Sequence, residues 1–457
     1  MSKLNRRDFI KTTSLAGAGI TVAPIAMPNF LTRKDDRKIR LGFIGTGMRG
    51  RNHLDLALRR NDCEVTAICD IDQAAIDHSL NMISKAGRNK PKVFANGEKD
   101  YLNLLGESDV DAVVIATPWI WHVPMAVHAM KAGKYTATEV SGAMAIEECW
   151  ELVRTYEETG VPLMFLENVC YRRDVMAVLN MVRQGMFGEM MHLEGGYQHD
   201  LRAVKFNDGV EPYGGGVEFN EKGYSEARWR TNHSVNRNGD LYPTHGIGPV
   251  SMYCNINRGN RFLYLTSMSS KPRGLHEYIA KHPKGGKNHA NANVEFKLGD
   301  VVTTLIKAQN GESILLSHDT NLPRPYSLGF RVQGTKGIWM DVNKSIYLEG
   351  VSEKAHQWEQ ADTYLNKYDH PLWKKYENDA TGAGHGGMDF FVFNAFVECV
   401  KRKIDPPIDV YDAATWMAIT PLSEQSIASG GQAMHFPDFT KGKWMNRKND
   451  FALTDDY

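Results

Sequence analysis

The sequence predicts an α/β protein of two domains. A doubly wound parallel sheet comes first, and an α+β domain with a large, mostly antiparallel, open-faced sheet follows. Three observations carry this. Between Lys38 and Val169, short apolar runs alternate with amphipathic stretches, the pattern of parallel strands joined by crossover helices. After a helix expected over 174–184, β-like runs separated by Gly-rich turns take over. The 457 residues, 42% hydrophobic and 24% charged, suffice for two cores.

The first domain is expected over 38–169. An apolar strand over 39–44 runs into Gly45-Thr46-Gly47-Met48-Arg49-Gly50, and a second strand over 64–69 ends in Asp70, twenty positions after Gly50. Each residue type has a physical task. Gly45 permits a tight turn, Gly47 lets the backbone approach a diphosphate, and Gly50 lets the helix pack on the sheet. The helix N-terminus receives the phosphates, and Asp70 can accept from a ribose 2′-hydroxyl. A carboxylate there repels a 2′-phosphate, so the fingerprint reads as a Rossmann domain for NAD rather than NADP. A continuous apolar run over 110–116 is a buried parallel strand. Thr117-Pro118 ends it, a helix follows over 123–132, and further strands are expected over 135–140 and 162–166.

The second domain is expected over 170–435, with residues 436–457 as a C-terminal tail. Strands are expected over 190–197, 261–267, 293–297, 301–307, 313–319 and 327–333, and closing helices over 388–401 and 413–428. Residues 199–245, rich in Gly, Asn and charge, read as a long functional or disordered loop. His385-Gly386-Gly387-Met388-Asp389 reads as a Gly-rich turn opening a core helix.

Composition excludes several classes. Lys+Arg and Asp+Glu are 54 each, so nothing points to nucleic acid or an anionic membrane surface. The six cysteines, Cys63, Cys69, Cys149, Cys170, Cys254 and Cys399, form no CxxC, and no HExxH or other metal spacing is present. No metal is expected; most of these thiols are expected to be buried, and the sequence selects no disulfide. Residues 1–32 stand apart. Asn5-Arg6-Arg7-Asp8-Phe9-Ile10-Lys11 precedes a mild apolar run over 15–27. This predicts a twin-arginine export signal, hence the export machinery as a partner and a periplasmic location. That route carries folded proteins, which suits a chain that loads a nucleotide first. The segment holds no Cys, so no stable membrane anchor is expected.

Further motifs carry a resemblance. Ala116-Thr117-Pro118 followed by His122, and Thr244-His245-Gly246-Ile247-Gly248-Pro249, together with the fingerprint resemble the Gfo/Idh/MocA oxidoreductases over about 38–435. The resemblance implies a substrate held between the Rossmann domain and an open-faced sheet, a face that by analogy self-associates into a homo-oligomer. Dehydrogenases of that family carry Glu-Lys-Pro after the strand beginning here at Tyr135, and the lysine transfers protons. This chain has Glu139-Val140-Ser141-Gly142 instead. That variant is similar to glycoside hydrolase family 109, the NAD-dependent α-N-acetylgalactosaminidases. Trp119-Ile120-Trp121-His122, Glu167-Asn168-Val169-Cys170-Tyr171-Arg172-Arg173-Asp174, Trp229-Arg230 and Tyr242-Pro243-Thr244-His245 agree with it.

The resemblance implies removal of terminal α-linked N-acetylgalactosamine from glycoconjugates, without net redox change. The sugar is oxidised at C3, which acidifies C2; the C1 substituent is eliminated, water adds, and the ketone is reduced. It assigns cofactor contacts to Met48, Arg49, Asp70, Trp119, Ile120, Trp121, His122, Glu139, Val140 and Asn168, beside Gly45, Gly47 and Gly50. Substrate contacts fall to Tyr197, Arg230, Tyr242, Pro243, Thr244, His245 and Tyr326. His245 is the expected base for the C3 hydroxyl and Tyr197 the proton-transfer group at C2, with Glu167 assisting or orienting. Two alternatives stay open: an exported NAD-dependent sugar oxidoreductase or epimerase of the same fold, and a catalytically silent NAD-containing sugar-binding module.

Overall fold

The computed structural model describes residues 37–457; the export signal expected over 1–32 lies outside the described residues. Six parallel strands form the first sheet: β1 (Ile39–Ile44), β2 (Cys63–Cys69), β3 (Lys92–Phe94), β4 (Ala112–Ile115), β5 (Tyr135–Thr138) and β6 (Leu163–Phe165), in the order β3-β2-β1-β4-β5-β6. Every residue of β4 and β5 is buried, as a sheet covered on both faces requires. The order reverses between β1 and β4, and a cleft opens outside their carboxyl ends.

The glycine fingerprint performs the tasks its residue types suggested. Gly45 has φ +87°, and a Cβ there would meet the Ala116 carbonyl oxygen at 2.6 Å. Gly47 has open space on its Cβ side, whereas a Cβ on Gly50 would overlap the Gly45 carbonyl oxygen. The helix after β4 runs Trp119–Lys131, starting earlier than the expected 123. Residues 119–122 therefore form its first turn, at the cleft, and are not part of a loop.

The second sheet has nine strands: β7 (Met190–Gln198), β8 (Phe262–Ser269), β9 (Val301–Ala308), β10 (Ser313–Asp319), β11 (Arg331–Gly334), β12 (Gly337–Met340), β13 (Ser345–Leu348), β14 (Glu359–Gln360) and β15 (Met434–His435). Their order is β14-β13-β12-β11-β7-β10-β9-β8-β15. Only the β7–β10 pair is parallel. The outer face keeps apolar residues in water: Met268 is 75% exposed and Leu305 46%.

Several expectations give way to local chemistry. Residues 293–297 form no strand. A 3-10 turn covers Ala290–Asn293, and the Lys297 and Leu298 N–H groups both donate to the Ser234 carbonyl, so they are spent on a helix end rather than a ladder. The strand expected over 327–333 shrinks to β11, with Ser327 kept only as a bridge to Gln198. The helix expected over 413–428 is two, Val410–Met417 and Ile419–Ala428. Pro421 has no N–H to offer the first, and Asp409 caps that one by accepting from Tyr411 and Asp412.

Residues 199–245 form no simple loop. They hold helices Arg202–Lys205 and Arg230–Asn236, and Phe206, Val217, Phe219 and Ala227 build a small core with Leu275, Ile279 and Phe296. The residues past 435 are packed too: Phe439 and Phe451 are buried, and Arg183 donates to the Phe451 and Ala452 carbonyls. All six cysteines are buried and free. Among the described residues no helix is long and apolar enough to cross a membrane, and no cluster of metal-ligand type occurs.

Candidate active site

A cleft of about 870 Å³ runs from the glycine fingerprint to the face of β7. On the nucleotide side it is lined by Gly45, Gly47, Met48, Arg49 and Asp70, then by Trp119, Ile120, Trp121, His122, Glu139, Val140 and Asn168. Gly50 lies behind it, packing the helix. The arrangement fits a dinucleotide: the Gly47 backbone is open to an approaching diphosphate at the N-terminus of the Met48–Leu58 helix. Asp70 is aimed by backbone donors, with Thr46 N at 2.6 Å from Oδ2 and Asp72 N at 2.9 Å from Oδ1. Oδ2 also accepts from Thr46 Oγ1 at 3.2 Å, and Oδ1 keeps a lone pair for a ribose hydroxyl.

Two assigned contacts carry a structural duty as well. His122 places Nδ1 3.0 Å from the Ser141 carbonyl and Nε2 2.7 Å from the Thr117 carbonyl, stapling the two turns beside the cofactor. Burial lowers its pKa against those carbonyls. Glu139 is tied at 2.7 Å to Arg49 Nε and at 2.6 Å to His53 Nε2. Against the burial that raises it, Arg49 and His53 hold its pKa well below the usual carboxylate range. Arg49 in turn donates to both oxygens of buried Asp389, at 2.7 and 3.0 Å, and Asn168 Nδ2 adds a third bond at 2.7 Å. The guanidinium is therefore an internal clamp between the first sheet and helix Met388–Arg402.

On the sugar side, glycines create the site. Helix Thr244–Tyr253 starts directly on Gly195 and Gly196 of β7: a Cβ on Gly246 would overlap the Gly196 nitrogen, and one on Gly195 would meet the Gly246 oxygen at 2.9 Å. This approach brings His245 beside Tyr197, with ring centres 5.3 Å apart and edge-on, and Tyr242 stacks tilted on Tyr197 at 4.5 Å. His245 Nδ1 is 2.7 Å from Glu167 Oε1. A carboxylate only accepts, so Nδ1 carries the hydrogen and Nε2 is left as the acceptor. Glu167 is fully buried, and its Oε2 has no partner among the described residues.

Arg230 lies over Trp119, Trp229 and Tyr242, 4.9, 5.7 and 5.5 Å from their ring centres, with Glu226 Oε2 2.8 Å from its Nε. Burial pushes the Tyr197 phenol up, while Arg230 pulls it down. Tyr197, Arg230, Tyr242 and His245 all line the cleft. Pro243 and Thr244 do not; they are buried and set the start of the helix. Tyr326 stands one ring further out, edge-on to His199 at 4.9 Å.

Residues 171–446 match the Glycosyl hydrolase 109, C-terminal domain, and residues 39–166 the Oxidoreductase family, NAD-binding Rossmann fold. A protein of Stenotrophomonas maltophilia (strain K279a), described as a glycosyl hydrolase family 109 protein, is 54% identical over 462 residues, covering 100% of both chains. The chain belongs to glycosyl hydrolase family 109. A Tannerella forsythia protein named alpha-N-acetylgalactosaminidase is 50% identical over 467 residues, 98% of this chain and 99% of that one. Levoglucosan dehydrogenase in complex with NADH and levoglucosan shares the fold at TM-score 0.65 and 16% identity, over 88% of this chain and 100% of that one. Scyllo-inositol dehydrogenase from Lactobacillus casei with NAD(H) and scyllo-inositol does so at 0.60 and 13%, over 87% and 99%.

The family 109 chain is an NAD-binding glycoside hydrolase built on a dehydrogenase fold. Its departure from Glu-Lys-Pro is more than a lost lysine. Ser141, at the proline position, has φ +65°, and Gly142 has φ +125° with its Cβ side filled by His122. Proline, fixed near −65°, cannot adopt that backbone, so the turn itself is rebuilt.

The structure also adds residues to which the sequence assigned no role in the site. His199 reaches Tyr197 Oη with Nδ1 at 3.3 Å; lying two positions on along an extended chain, it shares that residue's face. Lys205 sits under Tyr197 and Arg230, bonded to Thr320 and Asn321, and burial lowers its pKa to about 7. His385 and Asp389 enter the cofactor side from the Gly-rich turn, which does open a helix as expected.

Proposed function

We propose that this protein is an NAD-dependent α-N-acetylgalactosaminidase that cleaves terminal α-linked N-acetylgalactosamine from glycoconjugates. The observation that carries it is the His245–Glu167 pair, set beside Tyr197 and Arg230 in one cleft with the dinucleotide fingerprint. The Tannerella forsythia relative supports the choice of sugar.

When bound, NAD supplies reversible hydride exchange at the sugar C3, with no net redox change. Glu167 fixes the imidazole so that Nε2 of His245 takes the proton of the C3 hydroxyl and later returns it. A ketone at C3 acidifies the C2 hydrogen, and Tyr197 moves that proton. It accepts as the phenolate, the form that burial disfavours and Arg230 favours, so the carbon must first be acidified in this way. The C1 substituent then leaves and water adds in its place. Arg230, flanked by three aromatic rings, binds sugar oxygens and restrains the Tyr197 pKa.

The test is release of p-nitrophenol from p-nitrophenyl α-N-acetylgalactosaminide by the purified protein. Many turnovers are expected; no release with NAD⁺ added overturns the assignment. Supported by Arg6-Arg7, twin-arginine export is part of the reading, and an Arg6→Lys, Arg7→Lys double variant should stay in the cytoplasm. Self-association through the outer sheet face is supported by exposed Met268 and Leu305. Light scattering should then give a multiple of the single-chain mass.

A further inference from the structure

One wall of the cofactor cleft belongs to neither the fingerprint nor the sugar-side residues. It is His385, carried in a turn of Gly384, His385, Gly386 and Gly387 with φ of +84°, +43°, +67° and +96°. Glycine adopts these angles without strain; a histidine does so only uncommonly. A strained side chain kept among three glycines, in a binding cleft, points to a task for that side chain.

The ring is held at one nitrogen only. His385 Nδ1 is 2.8 Å from Asp389 Oδ2 and 3.4 Å from Arg49 Nη1. Asp389 is itself immobilised, fully buried beneath Arg49 and Asn168. His385 Nε2 has no partner among the described residues, while the side chain is 51% exposed and lines the cleft. Arg49, which it touches, is the second residue of the Met48–Leu58 helix, whose N-terminus receives the diphosphate.

We propose that His385 is a cofactor-retaining residue. Its Nδ1 gives its hydrogen to the Asp389 carboxylate, which leaves Nε2 to accept from a hydroxyl of the nicotinamide-side ribose of NAD, so that the C-terminal half of the chain closes over a cofactor gripped by the N-terminal half. A cofactor that ends each turnover in its starting state has no need to leave, and a second hold across the cleft slows its escape. The inference rests on NAD binding and is independent of which sugar is cleaved.

The experiment uses His385→Gly and His385→Asn, since both residues tolerate a left-handed backbone and preserve the turn. Dissociation constants for NAD⁺, ADP-ribose and AMP are measured by calorimetry on the full chain stripped of cofactor, beside its unfolding temperature. NAD⁺ and ADP-ribose should bind about three- to tenfold more weakly in both variants, the worth of one hydrogen bond. AMP binding and the unfolding temperature of the stripped protein should not change. An NAD⁺ affinity within about twofold of the parent overturns the proposal. So does equal weakening of AMP, a loss of affinity that tracks a fallen unfolding temperature, or an effect confined to KM for the sugar.

Discussion

Glu167 spends one oxygen on the His245 imidazole and on Val169 N, and leaves Oε2 buried and without a partner among the described residues. Glu167→Gln keeps the acceptor toward Nδ1 but removes the charge that stabilises an imidazolium. We expect kcat to fall about 10²- to 10⁴-fold, the span of a positioned proton-transfer group, with KM and bound NAD nearly unchanged. Steady-state kinetics with a cofactor count check this. Tyr197→Phe deletes only the phenolic oxygen and keeps the ring contacts with Tyr242 and His245. Its kcat should fall about 10²-fold or more at constant KM; a rise in KM alone would make Tyr197 a binding residue.

At the scale of the element, the contact of helix Thr244–Tyr253 with β7 makes the site. Gly246→Ala has no room against the Gly196 backbone. Overpacking there should cost about 1–3 kcal/mol and part His245 from Tyr197, so stability and kcat should fall together, read by urea unfolding and kinetics. The segment leading in depends on Asp240, whose Oδ1 accepts from Tyr242 N while Oδ2 is buried without a partner among the described residues. Burial raises its pKa from 3.8 to about 7. Between those values the unfolded chain gives up the proton and the folded one keeps it. Its contribution is therefore complete below pH 3.8 and is lost as pH rises to about 7, at up to about 1.4 kcal/mol per pH unit. Unfolding at pH 5 and pH 8 should show that slope in the parent and a flatter one in Asp240→Asn. The strands around this helix were legible because apolar alternation and glycine punctuation are local signals, and so β7, β9 and β10 fall within a residue or so of expectation. Residues 293–297 were not, because their apolar character serves a side core and the Lys297 N–H goes to a distant helix end.

Across the whole molecule, two sheets share one cleft, and its chemistry comes from residues far apart in the chain. On the nucleotide side the three glycines and Asp70 were legible, since they lie in one βαβ unit, and the other contacts came from family resemblance. The sugar-side residues Tyr197, Arg230, Tyr242 and His245 came from family resemblance, and the structure brings them together. What stayed hidden was long-range: the Arg49–Asp389 clamp joins positions 340 residues apart, and no local pattern announces it. The central claim is that hydrolysis passes through a retained NAD. The most direct measurement strips the cofactor from the purified protein and follows p-nitrophenol release from p-nitrophenyl α-N-acetylgalactosaminide together with absorbance at about 340 nm, where reduced nicotinamide absorbs. The account predicts no release without NAD, many turnovers after one equivalent of NAD⁺, and no lasting rise in nicotinamide absorbance. Equal release without NAD, or reduced cofactor accumulating mole for mole with product, would contradict it.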